Sequence, residues 1–256
     1  MGASTSSSSE GKSHIRPHII EGYFCVAFRS RKDFDVIHAT KDVQDVFRRA
    51  IIEMWHNQGD PYEAEKNGVL QFELPGEDDI LQALFAIKVF EDLSVAGYDI
   101  VTSACLDVTY YGLTWYFRKV TKARPFAPVL AITTSGTNGM FIVRGSGADV
   151  NIAIKTAIAE AWPFGIHSEK KFDYDGAKDE QVQYYKLTGN PWRENHMAIE
   201  LVRQTIGRLG QINWKLLSNS NFNKTTDVLF FIQDSKNSPT LEDLATIRQE
   251  YITYLQ

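Results

Sequence analysis

Cysteine is nearly missing from this sequence: 256 residues hold two, Cys25 and Cys105. That is too few for a disulfide scaffold or a cysteine-built zinc site. Positive charge is not in excess either, with 27 Lys and Arg against 32 Asp and Glu and a net charge of −5. A chain that grips phosphate backbones carries the opposite balance, so no nucleic acid is expected as a partner. No apolar run reaches the ~18–20 residues that a membrane-spanning helix needs. What is present is 43% hydrophobic and 23% charged residues, the composition of a soluble, folded chain. A cytoplasmic location is the matching expectation.

Chemical signatures are equally sparse. There is no Walker loop, no HExxH and no G-x-S-x-G elbow. His14, His18, His38, His56, His167 and His196 are scattered without metal-ligand spacing, and Pro17 argues against a helix that would pair the first two. Gly145-Ser-Gly147 precedes a helical pattern, where backbone amides could face a phosphate, but Val150 stands where a dinucleotide fingerprint needs its third glycine. A tight turn and helix cap is the simpler account. Cys25 and Cys105 both fall in strand patterns, where buried, inert thiols are the common case. No catalytic, cofactor-binding or metal residue is therefore assigned, and no cofactor is expected.

The two ends differ in kind. Residues 1–13 carry no large apolar side chain after Met1, which predicts a disordered tail. The opening Met1-Gly-Ala-Ser-Thr-Ser6 fits the myristoylation pattern, so Gly2 is a candidate lipidation site; a flexible tail or a cloning remnant could begin the same way. A single myristoyl chain gives only reversible membrane contact, and Lys12 and Arg16 are a thin basic supplement. Partial membrane association follows from that reading. At the other end, Ser238-Pro239-Thr240 and the apolar spacing from Leu241 to Leu255 predict a C-terminal helix over 237–256.

Laid on itself, the chain repeats. Phe24-Cys25-Val26 falls on Leu130-Ala131-Ile132 and Phe34-Asp35-Val36 on Met140-Phe141-Ile142. Ala50 to Trp55 falls on Ala157 to Trp162, Gly97-Tyr98-Asp99-Ile100 on Asn213-Trp214-Lys215-Leu216, and Leu113–Phe117 on Val228–Ile232. Ordered matches with short gaps indicate two related units over 14–120 and 129–236, joined by a linker over 121–128. Alternating and 3.6-residue patterns predict β-β-α-β-α-β-β in each. The fold class expected is α+β: two homologous units, each a two-layer sandwich with a mostly antiparallel sheet, plus the C-terminal helix. Residues 163–180 are read as a polar surface loop or flap unique to the second unit.

The run Tyr185-Lys186-Leu187-Thr188-Gly189-Asn190-Pro191-Trp192, then Asn213-Trp214 and Leu229-Phe230-Phe231, resembles an uncharacterised eukaryotic family with tandem α+β repeats. The resemblance covers mainly the second unit, and no activity comes with it. Aromatics such as Tyr110-Tyr111, Trp115-Tyr116-Phe117 and Phe230-Phe231 could stack nucleic-acid bases, but neither unit is basic, and sheet cores explain them better. Trp55, Trp162 and Trp214 are expected to be buried. Functionally, the sequence points to a non-enzymatic interaction or adaptor protein with an unknown protein partner and possible peripheral membrane contact. Two rivals stand beside it: an enzyme with an interdomain site using His167, Asp173, Asp175 and His196, and a lipid or small-ligand carrier with a pocket under the sheets.

Overall fold

The computed structural model describes residues 20–56, 61–66, 68–105, 113–121, 125–145, 147–174, 181–221 and 227–234. Gly2, the tail, Tyr110-Tyr111, Asp175 and the expected C-terminal helix lie outside these residues. The first unit runs β1 (Tyr23–Phe28), β2 (Asp33–Ile37), α1 (Lys41–Met54), β3 (Tyr62–Lys66), β4 (Val69–Glu73), α2 (Asp79–Val95), β5 (Tyr98–Cys105) and β6 (Leu113–Lys119). The second runs β7 (Val129–Ser135), β8 (Gly139–Val143), α3 (Ala148–Ala161), β9 (Ile166–Asp173), β10 (Gln181–Leu187), a 3-10 turn (Pro191–Arg193), α4 (Asn195–Gln211), β11 (Trp214–Asn221) and β12 (Asp227–Gln233).

Both units form six-stranded sheets, ordered β3-β4-β2-β1-β6-β5 and β11-β12-β7-β8-β10-β9. Read from the opposite edge, the second order is the first with each strand replaced by its counterpart. Every strand pairing described is antiparallel. The duplication reaches local irregularities. The β5–β6 ladder shifts register between Ile100 and Thr102, and the β11–β12 ladder does so between Leu216 and Ser218, the corresponding residues. The α+β architecture of two like units is as expected.

Each unit has one strand more than the pattern suggested. The described part of the expected flap, residues 163–174, is not unique to the second unit: β9 pairs with β10 as β3 pairs with β4. Both are edge strands, largely exposed, with the sequences Tyr-Glu-Ala-Glu-Lys and Ile-His-Ser-Glu-Lys-Lys-Phe-Asp. An edge strand that buries neither face has no apolar alternation to betray it, and its charges discourage further pairing. A second correction concerns the match of the last strands. Val26 pairs with Trp115 and its counterpart Ile132 with Leu229, so Trp115 corresponds to Leu229, one residue away from the alignment made on sequence.

Helix α2 decides how the units meet. Its cap is Asp78, whose carboxylate accepts the Ile80 and Leu81 amides at 2.9 Å. It ends at Ala96, before Gly97 with φ of 84°. Its side chains are buried all round, from Ile80 and Leu84 to Phe90 and Ser94, because it is covered twice. One side rests on its own sheet. The other meets the second sheet, where Val129, Ala131, Val143, Val182, Val228 and Phe230 join the same core as Phe85 and Phe90. Phe90 and Phe230 meet edge to face at 5.1 Å. The layers are therefore sheet, helices, sheet, helices.

This stacking is head to tail, so like surfaces are not both exposed. The outer face of the first sheet shows Tyr116 and Arg118, beside the buried Thr114, where the second sheet puts Val228, Phe230 and Ile232 against α2. At the opposite end, α4 carries Glu200, Arg203, Gly207 and Gly210 where α2 has Leu84, Ile87, Glu91 and Ser94. Polar outer faces at both ends close a stack that heterologous contacts would otherwise extend.

Trp55 and Trp162 occupy matching core positions at 1% and 2% exposure, and Trp214 is buried as well. The Trp162 indole donates to the Thr188 carbonyl at 2.8 Å, whereas Trp55 Nε1 is buried without a partner among the described residues. Trp162→Phe should then be the costlier exchange of the two by about 1 kcal/mol, read from urea unfolding of each variant. Equal losses would show that the two indoles experience the same environment.

Candidate functional site

The two sheets share a layout but not a filling. In the first unit the space between sheet and α2 is occupied by rings: Phe28 lies 4.7 Å from Trp115 and 5.4 Å from Phe34, and Phe34 lies 5.6 Å from Phe85. The corresponding residues of the second unit are Thr134, Leu229, Met140 and Leu201. Four aromatic rings are thus replaced by smaller side chains on four different elements. A cavity of about 470 Å³ opens there, lined by all four together with Ile132 and Trp192 among others.

Local structure holds that cavity open. Gly189, with φ of 81°, turns the chain out of β10 against Trp162. Pro191 is buried at the start of the 3-10 turn, where its fixed φ suits a first helical position. The next residue, Trp192, donates its indole N–H to the Gly139 carbonyl at 3.2 Å and forms part of the wall. Glycine is required at 139, since a Cβ would stand 2.7 Å from the Ser135 carbonyl oxygen. With its amide oriented to satisfy both ends, Asn190 donates to the Thr137 carbonyl at 2.6 Å. The Gly-Asn-Pro-Trp run that carried the family resemblance thus places Trp192 in the cavity wall. Helix α4 supplies the other side through Ala198, Leu201, Val202 and Thr205, with Ile199 at the rim, 69% exposed.

Polar groups are few and placed at particular points. Thr134 and Thr205 line the cavity, and Asn219 and Asp227 lie where β11 and β12 border it. Asn219 is tied to the first unit, its carbonyl accepting from the Ser103 hydroxyl at 2.8 Å. The adjacent Ser220 hydroxyl receives the Trp115 indole N–H at 2.9 Å. The cavity wall and the inter-unit contact therefore share a strand.

The residues of the enzyme reading do not converge. His167 and Asp173 lie at opposite ends of β9, His196 is in the first turn of α4, and Asp175 lies outside the described residues. No hydrogen bond or ion pair among the described residues joins them. His167 borders a separate recess beside Lys155 and Glu169, which pair at 2.6 Å. The gap between units, about 240 Å³ beside Phe90, Tyr98, Arg118 and Leu217, contains none of them. Among the described residues no group of three His, Cys, Asp or Glu could hold a metal ion.

Gly147 is the N-cap of α3, and Gly145 is closely packed, since a Cβ there would meet Ile142 at 2.6 Å. Cys25 is half-buried on β1, and burial pushes its thiol pKa up, away from a reactive thiolate. Trp115, Phe117, Phe230 and Phe231 are core residues. Among the described residues no helix is long and apolar enough to cross a membrane.

A protein-family model matches residues 128–235, the whole of the second unit, consistent with the uncharacterised family that the motif resembles. No curated protein and no solved structure matches the chain. The cavity could not have been read from any one motif. Its sequence signal is the loss of aromatics at Thr134 and Leu229 relative to Phe28 and Trp115; the first follows from the repeat itself, the second only from the strand register.

Proposed function

We propose that this chain is a non-enzymatic binding protein whose second unit holds a small apolar ligand between α4 and its sheet, while the first unit is the platform it is stacked on. The observation that carries this reading is the comparison between the copies. The same fold closes this space with four aromatic rings in one unit and leaves about 470 Å³ in the other. That volume is in the range of small-molecule sites, and the lining of apolar walls with a few polar groups is their usual chemistry. Burying an apolar ligand there gains on the order of 25 cal/mol per Å² removed from water.

Putting the rings back is the test. Thr134→Phe and Leu229→Trp restore the residues of the first unit. Titration with the neutral dye N-phenyl-1-naphthylamine should show saturable binding to the wild type. Binding to the double variant should be weaker by about tenfold or more, a loss of ~1.4 kcal/mol. The unfolding midpoint should not fall. A wild type that binds no dye, or a filled variant that binds it equally well, would remove the pocket from consideration.

A protein partner is the second reading, and one feature favours it. Among the described residues strand β9 pairs only with β10, and although its charges discourage indiscriminate pairing, a strand of complementary charge could add to its other edge, beside the partly exposed Phe172.

A further inference from the structure

We infer that the ligand of this pocket carries a rigid aromatic ring system, a naphthyl group being a simple probe of it, and not a flexible alkyl chain. The inference rests on the pocket being a ligand site and adds the class of group that fills it. The first unit shows what this framework accepts. There Phe28 and Trp115 cross at 71° with centroids 4.7 Å apart, and Phe34 lies tilted against Phe28 at 5.4 Å and against Phe85 at 5.6 Å. Edge-to-face and tilted contacts of this kind are arrangements that aromatic rings favour. Thr134, Leu229, Met140 and Leu201 stand at the same four positions, and all of them line the cavity. The same space is filled by rings in one copy and open in the other, within one strand order. An apolar cavity in a packed core takes a small rigid group of matching size, as engineered cavities that hold benzene do.

The walls add a preference of their own. Trp192 belongs to the connection between β10 and α4, whereas the corresponding connection of the first unit, Leu74 to Asp78, holds no aromatic residue. The second unit thus lacks four rings between sheet and helix and has one indole more on the wall. That indole gives its N–H to the Gly139 carbonyl, so its polar group is already satisfied and the rest of it is apolar ring surface. Met140, 2% exposed, brings a thioether, which makes favourable contacts with the edges of rings. An alkyl chain buries area against the same walls without any ring contact, and it loses its own torsional freedom on entry.

Two pairs of neutral alcohols, matched in carbon number and head group, separate the possibilities: 2-(2-naphthyl)ethanol against 1-dodecanol, and 2-phenylethanol against 2-cyclohexylethanol. Each is used to displace N-phenyl-1-naphthylamine from the full-length chain. Dissociation constants are corrected for partition of each alcohol from water into hexadecane, which removes the plain advantage of the more apolar body. On that scale the aromatic member of each pair should bind ~2- to 10-fold more tightly. Trp192→Leu and the volume-conserving Met140→Leu should each weaken naphthylethanol ~2- to 10-fold and leave dodecanol within about twofold. Equal binding within the pairs, or a tighter saturated member, would overturn the inference, as would a Met140→Leu effect shared by dodecanol. A wild type that binds no dye fails earlier, at the pocket itself, and takes this inference with it. One that binds the dye and prefers dodecanol keeps the pocket and loses only the aromatic ligand.

Discussion

Truncating Trp162 to Ala is expected to lower the stability of the protein by roughly 3–5 kcal/mol, the range for removing a large buried aromatic. Trp162 ends α3 and is 2% exposed in the core of the second unit, against Phe164 at 5.2 Å and Gly189. Its indole N–H also satisfies the Thr188 carbonyl, so the loss combines a cavity with a broken hydrogen bond. Urea unfolding followed by far-ultraviolet circular dichroism measures it. Dye binding should suffer in the same variant, because Gly189 begins the turn that presents Trp192 to the pocket. A Trp162→Ala protein of nearly wild-type stability would mean that the α3 terminus is not packed as described.

The second large effect is expected at Glu91, which is 5% exposed between the units. Its carboxylate accepts the Val129 amide at 2.9 Å, just after the linker, and the Arg144 guanidinium at 2.6 Å. Arg144 lies at φ of 60°, as does His38 at the matching position of the first unit. Glu91→Ala removes the acceptor that the Val129 amide and the Arg144 guanidinium share; breaking a fully buried pair costs about 3–5 kcal/mol, and with Arg144 26% exposed the loss should fall toward the lower end. Glu91→Gln retains an acceptor and should cost much less.

The pH dependence has a defined sign. Burial pushes the Glu91 carboxyl above its usual range, against the opposing pull of Arg144 and the Val129 amide. A carboxyl whose pKa is higher folded than unfolded favours the folded state when protonated. That contribution is complete below the unfolded pKa and is lost as pH rises through the folded one. The stability of wild type relative to Glu91→Gln should therefore fall between acidic and neutral pH. A difference that grows with pH instead would show that Arg144 outweighs the burial of the carboxylate.

Several features were legible from residues alone because their causes are local. Apolar residues at helical spacing located α1, and the carboxylate run Glu77-Asp78-Asp79 with Gly97 bracketed α2. The repeated Ala-Ile-x-Glu-x-Trp segment identified the duplication, which depends on identity along the chain and not on contacts. Strands β3 and β9 were not legible, since the signal for a strand is a buried face and these edges bury none. The Leu113–Phe117 match slipped by one residue because a run of aromatics fits either register. Pairing of Val26 with Trp115 and of Ile132 with Leu229 sets it.

By itself, then, the sequence determined two like α+β units, their helices and inner strands, their buried tryptophans and the absence of a recognisable catalytic motif. All of these follow from spacing, capping and composition within a short window. Only the tertiary structure decided that the units stack head to tail, that α2 serves two sheets, and that a cavity lies under the second sheet. Those are relations among residues such as Phe90 and Phe230, or Thr134, Leu201 and Leu229, far apart in the chain. Apolar packing is non-directional, so which surfaces meet is settled by shape across the whole fold. A missing ring becomes a pocket only when the residues around it are held too rigidly to close the gap.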